Sequence, residues 1–176
     1  VATDGYDAVE TIAAQPWVKD HKVGLVGLSY PGNAALYAAA TQPPSLAAIA
    51  VGGTYDDGFR NLLRPSGILN NGFAQNWIKG RYEDAQPAPA DWAAPTPHRP
   101  PTGPAPGIWA PGARPPPATF VDRIQVPTFL VATWHDEQVG GHVPTMLANF
   151  TGTDKKRFVL TNGGHAEIFG VPEVIA

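Results

Sequence analysis

The sequence predicts an α/β fold, a parallel sheet of about four strands with flanking helices. Two observations carry this. Apolar or β-branched runs without polar alternation recur at Val23–Gly27, Leu46–Val51, Pro127–Thr133 and Arg157–Thr161, as in strands buried on both faces. Helix-compatible stretches separate the first from the second run and the third from the fourth.

The elements follow in order. Thr3 or Asp4 is placed to cap a first helix from Gly5 to about Ala14, with Tyr6, Val9, Ile12 and Ala13 at helical spacing and Pro16 beyond its end. Val23–Gly27 is the first strand. Pro31 to about Ala40 is a helix, closed by Pro43 and Pro44. Leu46–Val51 is the second strand, ended by Gly52-Gly53. Residues 54–122 then read as a lid or excursion, with short helices over Phe59–Leu63 and Gly72–Lys79. Twelve of the twenty prolines lie between Pro87 and Pro117, and proline cannot donate to a sheet ladder, so this proline-rich part stays outside the sheet. Trp77, Trp92 and Trp109 read as packing anchors for these loops. The third strand, a helix from His142 to about Phe150, and the fourth strand complete the chain.

Composition narrows the function. The 176 residues suffice for one domain with a core. Only 15% are charged and the formal net charge is −3, which provides no basic face for nucleic acid. Without cysteine there is no disulfide and no thiolate metal site. No apolar run approaches the ~20 residues of a membrane-spanning helix. The chain opens on Val1 directly into a helix, which reads as part of a longer protein; localisation and oligomeric state are left open.

The most informative stretch is Val23-Gly-Leu-Val-Gly-Leu-Ser-Tyr-Pro-Gly32. A strand, a glycine two residues before Ser29, a glycine three after it and an immediate helix make a nucleophile elbow. Pro31 stands where the second glycine of the motif usually lies, and proline is tolerated in a first helical turn. The elbow lifts the Ser29 hydroxyl above the sheet and aims the Tyr30 N–H at the same point, as an oxyanion donor. The third strand ends in Thr133-Trp-His-Asp-Glu137 and the fourth in Thr161-Asn-Gly-Gly-His-Ala-Glu167. Ser29, Asp136 and His165 therefore each follow a strand's carboxyl end, where open parallel sheets carry their sites. Their order, Ser, Asp, His, is that of the α/β-hydrolase fold. Imidazole can take the serine proton near neutral pH, and a buried carboxylate can hold its tautomer. His135, Asp136, Glu137 and His142 have metal-ligand chemistry without a recognised ligand spacing, and His135 and Glu137 are expected at the pocket mouth or in solvent. Asp56 and Asp57 could meet a cationic substrate, but capping the helix at Gly58 is the simpler role.

With these residues in place, the chain resembles the Xaa-Pro dipeptidyl-peptidase and cocaine esterase group of α/β-hydrolases. Asp4-Gly-Tyr-Asp7, Gln15-Pro-Trp17, the elbow stretch, Trp134-His-Asp136 and Gly163-Gly-His165 carry the resemblance. It implies the C-terminal half of an α/β-hydrolase catalytic domain that cleaves an ester or short peptide through an acyl-serine intermediate, with no cofactor and no metal. It also implies Ser29, Asp136 and His165 as the triad and the Tyr30 N–H as oxyanion donor. The group's second oxyanion donor, a tyrosine preceding the elbow strand, has no counterpart in these 176 residues, nor has its C-terminal β-sandwich. Relatives selecting an α-amino acyl group carry further carboxylates after the triad Asp, where this chain has Gln138 and Val139. Esterase, Xaa-Pro dipeptidyl-peptidase and inactive fragment are the three readings left standing.

Overall fold

The structure, a computed structural model, describes residues 2–84 and 115–170. Its frame is a four-stranded sheet in the order β1-β2-β3-β4, all neighbours parallel. The strands are β1 Val23–Leu28, β2 Leu46–Gly52, β3 Thr128–Thr133 and β4 Lys156–Thr161. Sequence order and spatial order coincide, and the parallel pairing is what the alternating pattern predicts. The helices are α1 Ala2–Ala13, α2 Tyr30–Ala39, α3 Phe73–Asp84 and α4 Pro144–Leu147. Most of the proline-rich stretch, with Trp92 and Trp109, lies outside the described residues.

Three helix boundaries differ from expectation, and α3 continues past Lys79 to Asp84. Helix α1 starts at Ala2, so Thr3 and Asp4 sit inside its first turn rather than capping it. Asp4 there still faces the positive end of the helix dipole. Helix α4 is a single turn. Pro144 stands at its start, and i→i−3 bonds flank it, from Thr145 N to His142 O and from Phe150 N to Leu147 O. The apolar spacing over 142–150 is satisfied by tight turns that bury Val143, Met146 and Phe150.

The main core lies on one face of the sheet. Leu36 of α2, Val9 of α1, Ile49 and Val51 of β2, Leu130 of β3 and the turn residues Val121 and Ile124 are buried together with Met146 and Phe150. Phe150 meets Phe158 of β4 with ring centroids 5.3 Å apart, tying the α4 turn to the last strand. Of the first-helix residues at helical spacing, Val9 and Ala13 are buried while Ile12 is 45% exposed. A second cluster gathers Leu62, Leu63, Ala74 and Val139 with Phe59 and Phe73 packed against it. Trp77 stacks on Phe73, one turn earlier in the same helix, with ring centroids 6.3 Å apart.

Strands buried on both faces were expected, and the described sheet departs from this. Among the described residues the second sheet face is open, a shallow groove lined by Gly24, Val26, Ala48, Ala50, Phe129 and Arg157. These positions are in register across the sheet. Val26, on the edge strand, is 83% exposed. Among the described residues no helix is long and apolar enough to cross a membrane.

Two outcomes follow from this packing. Leu36→Ala removes a fully buried side chain at the centre of the core and is expected to cost about 2–5 kcal/mol in denaturant unfolding. Val26→Lys interrupts the apolar edge and is expected to reduce concentration-dependent light scattering, with unfolding stability changed by less than about 0.5 kcal/mol.

Candidate active site

The site is built from the carboxyl ends of β1, β3 and β4. Ser29 is the single residue between β1 and α2, with φ 63° and ψ −126°. A non-glycine residue there costs on the order of 1–3 kcal/mol, so its surroundings must hold it. They do so from both sides. The Ser29 N–H donates to Gly52 O at 2.9 Å, and the Ser29 carbonyl accepts from Asn33 N and Asn33 Nδ2, each at 3.0 Å. The glycines of the motif are needed for close approach. A Cβ on Gly27 would strike the Pro31 backbone, and one on Gly32 would lie 2.8 Å from Gly27 O and 2.9 Å from Gly52 O. Tyr30 begins α2, so its N–H is among the first-turn donors that lack an acceptor within the helix.

Asp136 and His165 are brought together. The His165 Nδ1–H donates to Asp136 Oδ2 at 2.7 Å, and both side chains are buried. The other Asp136 oxygen accepts from Gln138 N at 2.9 Å and Val139 N at 2.8 Å, so this carboxylate is fixed by backbone as well as by imidazole. His165 Nε2 is buried and has no hydrogen-bond partner among the described residues. The ring lies over the corner after β2, where a Cβ on Gly53 would come within 2.7 Å of His165 Cε1 and 3.2 Å of Leu28 Cδ1. The elbow is bonded to Gly52, the residue before that corner. Ser29 and the His165 ring thus meet the same two-residue turn, and no hydrogen bond joins Ser29 Oγ to Nε2.

Sequence reasoning missed the roles of three side chains. Asn33 is buried at 3% exposure, and its Oδ1 accepts from Tyr55 N at 3.3 Å while its amide holds Ser29 O. A lone asparagine one turn after Ser29 on an alanine-rich helix was the available signal. Glu137, expected at the mouth or in solvent, is exposed, yet its Oε2 accepts the His165 N–H at 2.9 Å. Glu167 Oε2 accepts Gly164 N at 2.6 Å. The Glu137 contact depends on how two loops meet, which no local pattern encodes, whereas the Glu167 contact closes within its own loop. The Glu137 carboxyl is held below its ordinary value, chiefly by the His165 N–H.

The remaining acidic residues separate cleanly. Asp57 accepts from Phe59 N at 2.9 Å and Arg60 N at 3.0 Å and caps the Gly58–Leu63 turn, which takes π-helical form. Burial pushes its carboxyl up, but the Arg60 N–H and guanidinium and the Phe59 N–H outweigh this and leave it lowered. Asp56 does not cap that turn. It is buried and accepts from Asn61 Nδ2 and from Thr145 Oγ1, the latter at 2.6 Å, joining the β2 end to α4. His135 and His142 are exposed, and among the described residues no group of three or more His, Asp or Glu is placed to hold a metal ion.

A pH dependence follows for Glu137. Its folded-state carboxyl is depressed, so its contribution is present above the ordinary value of 4.5 and is lost as pH falls below that through the lowered value. The stability difference between wild type and Glu137→Gln, measured by denaturant unfolding across pH, is expected to be constant near neutrality and to shrink on acidification below the ordinary carboxylate value.

Several solved structures share this architecture. A CocE/NonD family hydrolase from Staphylococcus aureus superposes with a TM-score of 0.68 at 20% identity, over 99% of this chain and 30% of that one. A second crystal structure of it gives 0.70 at 19% identity. The acylaminoacyl peptidase of Pyrococcus horikoshii gives 0.53 at 11% identity, over 92% of this chain and 22% of that one. The chain thus spans about 30% of the length of the staphylococcal hydrolase, and the likeness shows an α/β-hydrolase fold. No curated protein matches the sequence. The family model of the X-Pro dipeptidyl-peptidases (S15 family) matches residues 1–100, more than half of the chain and the part that contains the elbow, and the chain belongs to that family.

Proposed function

We propose that the protein is a serine hydrolase that cleaves ester or amide bonds through an acyl-serine intermediate, with Ser29 as nucleophile, His165 as general base and acid, and Asp136 as the carboxylate that orients it. The observation that carries this is the buried Asp136–His165 pair, bonded through Nδ1 at 2.7 Å and leaving Nε2 without a partner beside the corner to which the elbow is tied. With Nδ1–H committed to Asp136, Nε2 is the nitrogen that can accept a proton.

The chemistry follows from the atoms. Ser29 Oγ attacks the carbonyl carbon while Nε2 takes the hydroxyl proton. The carbonyl oxygen becomes an oxyanion, which the Tyr30 N–H and the positive end of α2 stabilise. The imidazolium gives its proton to the leaving alcohol or amine, and the acyl group remains on Oγ. Water, deprotonated by Nε2, then attacks the acyl-serine, and the imidazolium returns that proton to Ser29 Oγ as the acid is released. Asp136 stabilises the transient imidazolium throughout, and its two backbone donors keep it in place.

The substrate is a small ester or a short peptide. The family description favours a second reading, removal of an Xaa-Pro dipeptide. Turnover of p-nitrophenyl esters against dipeptide anilides with proline second separates the two.

The triad reading has a direct test. A fluorophosphonate probe is expected to label Ser29, and Ser29→Ala to abolish both labelling and p-nitrophenyl acetate turnover. His165→Ala is expected to cost about as much, because the groups act as a unit. Asp136→Asn is expected to lower turnover on the order of 10⁴-fold by favouring the wrong imidazole tautomer. Labelling that persists in Ser29→Ala would sink the assignment, and a wild-type chain that is neither labelled nor active would point to the inactive-fragment reading.

A further inference from the structure

We propose that Glu137 is a positioning residue, which sets the imidazole of His165 by holding its backbone N–H, and that glycine at 164 leaves room for the Glu137 carboxylate to do so. The inference rests on the triad reading above and assigns a role outside the triad.

His165 follows Gly163 and Gly164, and Gly163 has φ 117°, where only glycine is at ease. Such a loop has little stiffness of its own. The Asp136 bond fixes one ring nitrogen, but a ring tethered at Nδ1 alone can still move with its Cα. A second anchor on the main chain removes that freedom. Glu137 provides it, with Oε2 2.9 Å from His165 N. The two anchors come from consecutive residues, so ring and backbone are referred to one loop. That loop is itself fixed by the Gln138 and Val139 N–H bonds to Asp136. Gln138 Nε2 also reaches Glu137 Oε1 at 3.2 Å.

The fit around Gly164 supports the same conclusion. A Cβ at Gly164 would lie 2.9 Å from Glu137 Oε2, the oxygen that holds His165. No backbone atom is that close, and Gly164 has no positive φ, so the carboxylate is what an alanine would push aside. From the other side Glu167 Oε2 takes the Gly164 N–H at 2.6 Å. Consecutive N–H groups of the loop are thereby held by carboxylates from two different segments. The lowered Glu137 carboxyl is a consequence of the His165 contact.

The experiment uses the chain with Glu137→Ala, Glu137→Gln, Gly164→Ala and the Glu137→Ala/Gly164→Ala double variant. Four quantities are measured: kcat and KM for p-nitrophenyl acetate, the fluorophosphonate labelling rate of Ser29, the downfield proton resonance of His165 Nδ1–H, and unfolding stability. Glu137→Ala is expected to lower kcat and labelling about 10²-fold, the scale for a misplacement of about 1 Å, with KM little changed. Its Nδ1–H resonance should broaden or move. Glu137→Gln should recover most of the loss, because its amide oxygen still accepts the N–H. Gly164→Ala should resemble Glu137→Ala, and the double variant should be no worse than either single one, since both remove the same contact. Should Glu137→Ala fail to fold, Gly164→Ala and Glu137→Gln carry the same comparison. Wild-type kcat, labelling and resonance in Glu137→Ala would overturn the inference while leaving the triad intact. So would additive losses in the double variant, or losses that follow stability with no change in the resonance. Activity that survives Ser29→Ala and His165→Ala would instead remove the triad reading, and this inference with it.

Discussion

The backbone at Ser29 is the constraint on which the site depends. A strand that turns into a helix within one residue forces that residue to positive φ, and for serine this conformation is unfavourable by itself. It persists because both peptide groups of Ser29 are held, one by Gly52 at the end of the neighbouring strand and one by Asn33 a turn along α2. The elbow is therefore not a local motif alone. It is a joint between β1, β2 and α2, and Asn33 extends it to Tyr55 in the segment after β2. Gly32 completes the joint by letting α2 lie against the Gly27 and Gly52 carbonyls.

The same end of β2 receives the imidazole. Parallel strands place all their carboxyl ends on one edge of the sheet, so segments far apart in sequence meet there without special loops. His165 enters over Gly53, and Asp136 and Glu137 close on it from the end of β3. The arrangement divides the labour of holding a histidine. Asp136 holds the ring, and the neighbouring carboxylate holds the main chain. In the proposed reaction this leaves Nε2 as the ring atom that can exchange a proton with the nucleophile.

The core explains why these ends are rigid. Leu36, Leu130, Met146 and Phe150 are completely buried beneath the sheet, so α2 and the α4 turn are packed against the strands that carry the site. Asp56 adds a polar tie between the β2 end and Thr145. Rigid strand ends matter because the proposed chemistry depends on sub-ångström placement of a hydroxyl, an imidazole and a backbone N–H.

Much of this was legible before any coordinates. Apolar runs separated by helix signals determine a parallel sheet, since strands of that composition must be covered and crossovers of that length must be helical. The glycines around Ser29 determine a tight turn, because nothing larger fits it. Asp136 and His165 were legible as residues just past strand ends. The sequence read α1 and α4 less well. Thr3 and Asp4 lie inside α1 rather than before it, and the 142–150 stretch satisfies its apolar spacing with turns around Pro144. Only tertiary structure decided which nitrogen of His165 meets Asp136, that the exposed Glu137 also holds a backbone N–H, and that Asn33 locks the elbow. Those contacts join segments 4 to 29 residues apart through side chains with no periodic signature, and they exist only once the strands are laid side by side.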